Sequence, residues 1–181
     1  ADASSYNVLL QQAKNVGFKN DPAEATTALV EYLHQMMAKG NNTLVNQISK
    51  TLLENTVDGA LQHFRLAALK GISQVDAQGS VSILIKELSR FDDEYRREVL
   101  KIAVTSAGTP AALKQWQKVY KKSTGSDQAD ILSMLAKANR NDSFVESMLV
   151  PALSSSNQPT RIAAASQIAS YRNKKFTPAL V

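Results

Sequence analysis

The stretch Phe64-Arg65-Leu66-Ala67-Ala68-Leu69 decides how the chain is read, because it returns twice in altered form. The later copies are Tyr95-Arg96-Arg97-Glu98-Val99-Leu100 and Thr160-Arg161-Ile162-Ala163-Ala164-Ala165. Alternate helices aligned on their central apolar positions place Leu69, Leu100, Leu132 and Ala164 in register, at steps of 31, 32 and 32 residues. The helices between them keep the same rhythm, with Leu84, Trp116 and Met148 spaced by 32 and 32. A helix pair that recurs at this period cannot bury both apolar stripes by itself, so successive pairs must stack.

Working outward, helical periodicity dominates the rest of the chain. Leu44, Val45, Ile48, Leu52 and Leu53 recur at three- and four-residue spacing, as do Val81, Leu84, Ile85, Leu88 and Phe91. Each set makes one apolar stripe on one helix face. Asp21-Pro22, Thr109-Pro110 and Asn157-Gln158-Pro159 read as N-caps with proline in the first turn. Gly17, Gly40, Gly108 and Gly125 stand where helices should end, and Ser143 with Glu146 fits a capping box. These signals predict ten helices near 4–16, 22–39, 43–55, 58–75, 79–91, 93–107, 110–122, 127–138, 142–153 and 158–172, with Pro151 bending or ending the ninth. Short connections make consecutive helices antiparallel neighbours.

The pattern resembles the HEAT and armadillo-like repeats, in which an arginine precedes a small-residue run on the second helix. That resemblance implies an all-α fold, a right-handed α-α superhelix or solenoid of about five helix pairs, filling residues 1–181 as a single domain. The clearer repeats are 43–75, 79–107, 110–138 and 142–172, with a fainter pair at 4–39. It also implies a structural ladder of turn Asp or Asn pairing with arginine, carried here by Asp93 with Arg97 and Asn157 with Arg161. The repeat at 127–138 lacks the arginine, and Asp58 lies seven residues from Arg65. A compact irregular bundle is the competing arrangement.

The 181 residues are 44% hydrophobic and 20% charged, with 7 Gly and 5 Pro, which excludes disordered and low-complexity classes. Zero cysteines exclude disulfides, thiolate metal sites and cysteine nucleophiles. Residues 1–98 carry ten basic and twelve acidic side chains, and residues 99–181 eleven and four, so the net +5 belongs to the C-terminal half. No apolar run is long enough for a membrane span. The alanine start suits a mature form after signal cleavage and equally an arbitrary chain boundary. It leans toward a bacterial periplasmic or secreted protein, with the cytoplasm as the alternative, since a chain without cysteine suits both. Phe176-Thr177-Pro178-Ala179-Leu180-Val181 reads as an extended apolar end from which a longer chain continues.

No phosphate-binding glycine loop, nucleophile elbow or zinc helix occurs, and no cofactor or metal site is expected. His34 and His63 lie on different helices without a second ligand at metal spacing. Asp92-Asp93-Glu94 and Asp127 with Asp130 sit where acids favour a helix N-terminus. On helix 110–122, Leu113, Trp116, Val119 and Tyr120 share a face, while Lys114, Lys118, Lys121 and Lys122 form a basic ridge, and Arg172-Asn173-Lys174-Lys175 adds a second basic spot. Everything strong in the sequence is packing. The leading expectation is therefore a non-catalytic protein-interaction or scaffolding domain, or an accessory module, that meets a protein partner on a wall of second helices including Arg96, Lys101 and Lys137. The alternative is a HEAT-like nucleic-acid-binding protein of the DNA glycosylase type, using the basic surface. A compact helical enzyme or lipid carrier is the third class.

Overall fold

The computed structural model describes residues 3–19 and 22–180, and every regular element in that span is helical. In order they are α1 (Ala3–Asn15), α2 (Ala25–Ala38), α3 (Asn42–Asn55), α4 (Gln62–Val75), α5 (Ala77–Glu87), α6 (Asp93–Ala103), α7 (Pro110–Lys122), α8 (Gly125–Ala138), α9 (Asp142–Phe144), α10 (Val150–Ala152) and α11 (Gln158–Tyr171). A 3₁₀ turn over Gly59–Leu61 leads into α4, a π turn over Val145–Leu149 joins α9 to α10, and Lys174–Leu180 forms 3₁₀ turns.

The first helices start on side-chain caps that recur with the repeat. Asn41, Asp76, Thr109 and Asn141 each accept from the backbone N–H three residues on, at 3.2, 2.8, 3.2 and 2.9 Å. Each cap satisfies one N–H that the first turn leaves free and contributes about 1 kcal/mol. The apolar stripes then point inward as their spacing requires. Val45, Ile48 and Leu52 of α3 and Val81 and Leu84 of α5 are fully buried.

The helices form two stacked layers. α2, α4, α6, α8 and α11 make one row in which each packs on the next, and α1, α3, α5, α7 and the α9–α10 rod pack on their sequence partners to form the other. Hydrogen bonds connect residues one repeat apart: Thr109 to Gln78 (31 apart), Asn139 to the Ala107 carbonyl (32) and Asn157 to the Gly125 carbonyl (32). The 32-residue rhythm of the sequence is thus a physical stacking distance. Two cores lie between the layers. The larger surrounds Trp116 and runs from Leu69 to Phe176, and the smaller lies among α1, α2 and α3 and takes in Ala68.

Several local expectations are corrected. Asp21 lies outside the described residues, and α2 starts at Ala25, later than 22, with Glu24 at its N-cap. Asn141, not Ser143, caps α9, so the Ser143–Glu146 capping box does not form there. Gly17 and Gly40 have φ of +66° and +68° after α1 and α2, but Gly125 opens α8 and does not end α7. Pro151 stands one residue before its helix ends at Ala152. Having no N–H, it is preceded by a π turn in which the Val150 N–H reaches back to the Val145 carbonyl, and the rod continues to Ala152. The C-terminal segment is not extended: Phe176 is buried against Tyr171, and Lys175 Nζ lies 2.6 Å from Glu146.

The ladder exists, but on other residues. Arg65 is buried and donates to both Glu87 oxygens at 2.7 and 2.8 Å, and to the carbonyls of Leu53 and Thr56 at 2.6 and 3.2 Å. Tyr95 Oη donates to Glu87 at 2.6 Å. One repeat on, Arg96 holds Asp127, Asp130 and Asp93, the latter two at 3.2 and 3.1 Å. The next rung is Gln128, whose Oε1 accepts from Thr160 Oγ1 at 2.9 Å and from Asn157 at 3.2 Å. Arg65, Arg96, Gln128 and Thr160 each stand four residues before the register positions Leu69, Leu100, Leu132 and Ala164. Arg97 is exposed and reaches only the Asp93 carbonyl at 3.2 Å, while Arg161 caps the carbonyls of Ser155 and Ser156 at 2.8 and 3.2 Å. The Asp93–Arg97 and Asn157–Arg161 side-chain pairings are therefore replaced, because one residue along a helix turns a side chain by about 100°.

Candidate functional site

The row of second helices leaves three grooves on one face. The first, of about 380 Å³, lies between α2 and α4 and is lined by His34, Met37, Ala38, Lys70 and Gln74. The second, of about 650 Å³, lies between α4 and α6 over Leu66, Ser73, Ala77 and Ile102. The third, of about 390 Å³, lies between α6 and α8 over Leu100, Val104, Ser133 and Met134. They are continuous. Lys70 and Gln74 line both the first and second grooves, and Lys101 and Thr105 line both the second and third. Lys137 lines the third groove as well.

This geometry follows from the repeat. Lys70 and Lys101 each follow a register leucine directly, so both emerge at the same height on successive second helices. Half-buried Leu66, Ile102 and Val104 make the floor apolar, while the lysine stems flank it and their ammonium groups stay in water. Lys101 Nζ meets Glu98 at 2.5 Å, an exposed pair of small energetic weight. Ser73 is 4% exposed, lines the middle groove, and its hydroxyl has no hydrogen-bond partner among the described residues.

The structure brings Lys101 and Lys137 together on the wall and separates the other candidates from them. Arg96 is not a free wall residue, because its side chain is only 9% exposed and its guanidinium is held by three aspartates. Lys114, Lys118, Lys121 and Lys122 are all exposed, as a solvated ridge on α7 of the other layer. Trp116 is fully buried at the centre of the larger core, and burial raises the Tyr120 hydroxyl above its usual range. Lys70 is the wall residue that pattern reading missed. Its equivalence to Lys101 was available in the register of Leu69 and Leu100.

Catalytic chemistry finds little to work with among the described residues. His34 and His63 are exposed and apart, His63 resting on Phe64 with ring centroids 3.9 Å apart. No three His, Asp or Glu side chains converge as a metal-ligand set there. Asp92 accepts from the Tyr95 N–H at 2.8 Å as the α6 cap, and Asp127 and Asp130 face Arg96. No described helix is long and apolar enough to cross a membrane.

Fold and face together define an all-helical protein of stacked helix pairs with a grooved, lysine-marked wall on its second helices. Compared with protein-family models, curated proteins and solved structures, the chain finds no match in any of the three.

Proposed function

We propose that the chain is a right-handed, HEAT-like solenoid that serves as a non-catalytic interaction or scaffolding domain, binding a protein segment along the α2–α4–α6–α8 wall. The observation that carries this reading is the continuity of the three grooves through Lys70, Gln74, Lys101 and Thr105. A small-molecule site closes around its ligand, whereas a track that crosses four helices suits an extended one.

Selection of a random twelve-residue peptide library on the immobilised protein tests the reading. Binders are expected whose binding is lost in Thr105→Trp, since Thr105 is exposed and stands where two grooves meet. A selection whose binders all ignore that substitution overturns it. The second reading, nucleic-acid binding, draws on the four exposed lysines of α7. It requires duplex binding that falls steeply with salt and weakens in Lys118→Glu/Lys121→Glu. Binding of that kind, without wall-dependent peptides, replaces the first reading with the second.

A further inference from the structure

We infer that the wall takes an extended peptide segment with an acidic side chain at about every third residue and apolar side chains between. The inference rests on the reading of this face as a protein-binding track and adds the chemistry of the partner.

Charge complementarity supplies the first half. Lys70, Arg97, Lys101 and Lys137 line the grooves, against Glu98 and Asp130. Both acids are already engaged, Glu98 with Lys101 at 2.5 Å and Asp130 with Arg96 at 3.2 Å. Lys70 and Lys137 make no ion pair among the described residues. An incoming carboxylate therefore meets unpaired ammonium groups on both sides of the middle rung, and at that rung it exchanges with Glu98 for Lys101, an exposed pair of small energetic weight. Phosphate backbones fit less well, because single lysines separated by carboxylates give no dense cationic strip.

Spacing and floor supply the second half. Packed helices lie about 9 Å apart, and an extended chain of the polyproline II kind advances about 3.1 Å per residue with three residues per turn. One helix-to-helix step therefore matches about three residues and brings every third side chain back to the same face. Acidic side chains three residues apart can then address Lys70 and Lys101, with Lys137, one helical turn beyond the matching position Ser133, at the end of the track. Between these points the track runs over Leu66, Ile102 and Val104, where apolar side chains lose water on binding. Beside the middle groove, the buried Ser73 hydroxyl has no hydrogen-bond partner among the described residues.

Fluorescence polarisation with labelled twelve-residue peptides tests this. The probes are (Glu-Leu-Ser)4, (Gln-Leu-Ser)4, (Lys-Leu-Ser)4 and a twelve-base-pair DNA duplex. The acidic peptide is expected to bind at least tenfold more tightly than the Gln and Lys versions, and to lose at least tenfold in Lys70→Glu/Lys101→Glu. Lys118→Glu/Lys121→Glu on α7 should change it by less than twofold. All four positions are exposed, and circular dichroism verifies that the variants fold. Equal binding of the Gln peptide, an equal loss in the α7 variant, or displacement of the peptide by duplex overturns the inference. Library binders that depend on Thr105 yet carry no acid leave the wall a peptide site and remove only its acidic specificity. If no binder depends on Thr105, the protein-binding reading falls as well.

Discussion

At the residue scale, Gly71 on α4 marks a close approach between helices. A Cβ there would stand 2.3 Å from Ser49 Oγ and 3.3 Å from both Leu33 Cδ1 and Val45 Cγ1. Glycine in mid-helix costs about 1 kcal/mol relative to alanine, and here it lets three helices meet. Ser49 is fully buried and its hydroxyl has no partner among the described residues, so it contributes little beyond filling space. Gly71→Ala alone should destabilise by about 1–3 kcal/mol through overpacking. Ser49→Ala alone should be close to neutral, since it removes an unsatisfied polar group. The double variant should recover most of the loss and gain from alanine's helix propensity. Urea midpoints of the four proteins give the coupling. Additive effects would show that the Ser49 hydroxyl is not what excludes a side chain at 71.

At the element scale, the α3, α4, α5 and α6 ends are tied by one buried cluster around Glu87. Burial pushes the Glu87 carboxyl up, but the hydrogen bonds from Arg65 and Tyr95 and the charges of Arg65 and Arg90 outweigh it and hold the group below its usual range. A carboxylate depressed on folding adds stability that is complete above its unfolded value near ~4.3 and is lost as pH falls through the lower folded value. Glu87→Gln leaves the Arg65 guanidinium buried without its counter-charge and should cost about 3–5 kcal/mol at pH 7. It should also flatten the acid limb, so urea unfolding between pH 7 and pH 3 should show a smaller loss than in the unaltered protein. Parallel losses would place the acid sensitivity elsewhere. This cluster also shows what was legible in the sequence and what was not. Helix existence and register were legible because the stripes of α3 and α5 and the leucines at 69, 100 and 132 repeat physically. The ladder keeps its position but changes its chemistry, from Arg65 and Arg96 to Gln128 and Thr160, so a search for arginine settled on Arg97 and Arg161. Glu87 lies outside the motif altogether, at the end of a first helix. The π turn before Pro151 and the folded-back Phe176 depend on what they pack against, which local pattern does not record.

At the scale of the whole molecule, stacking makes stability local, and α4 is where it divides. Ala68 faces the smaller core and its neighbour Leu69 faces the larger, with Leu53 touching both. The smaller core is shared by Tyr6, Ala13 and Phe18 from α1 and the turn after it, with Leu29, Leu33 and Met36 from α2. The larger continues from α4 through α5, α6, α7, α8, the α9–α10 rod and α11, around Tyr95, Trp116 and Leu132. In a stack whose layers meet only their neighbours, an end layer can open without the rest. Amides of α1 and α2 should therefore exchange through an opening of lower free energy, and weaker urea dependence, than those of α6 and α8. Gly71→Ala should widen the difference, because it disturbs the contacts of α4 with Leu33 and Val45 and leaves the α6–α8 contacts intact. Native-state hydrogen exchange resolved by residue measures both effects. Merging of all slow amides onto one isotherm, in the unaltered protein and the variant alike, would mean that the Arg65–Glu87 cluster couples the two cores into a single cooperative unit.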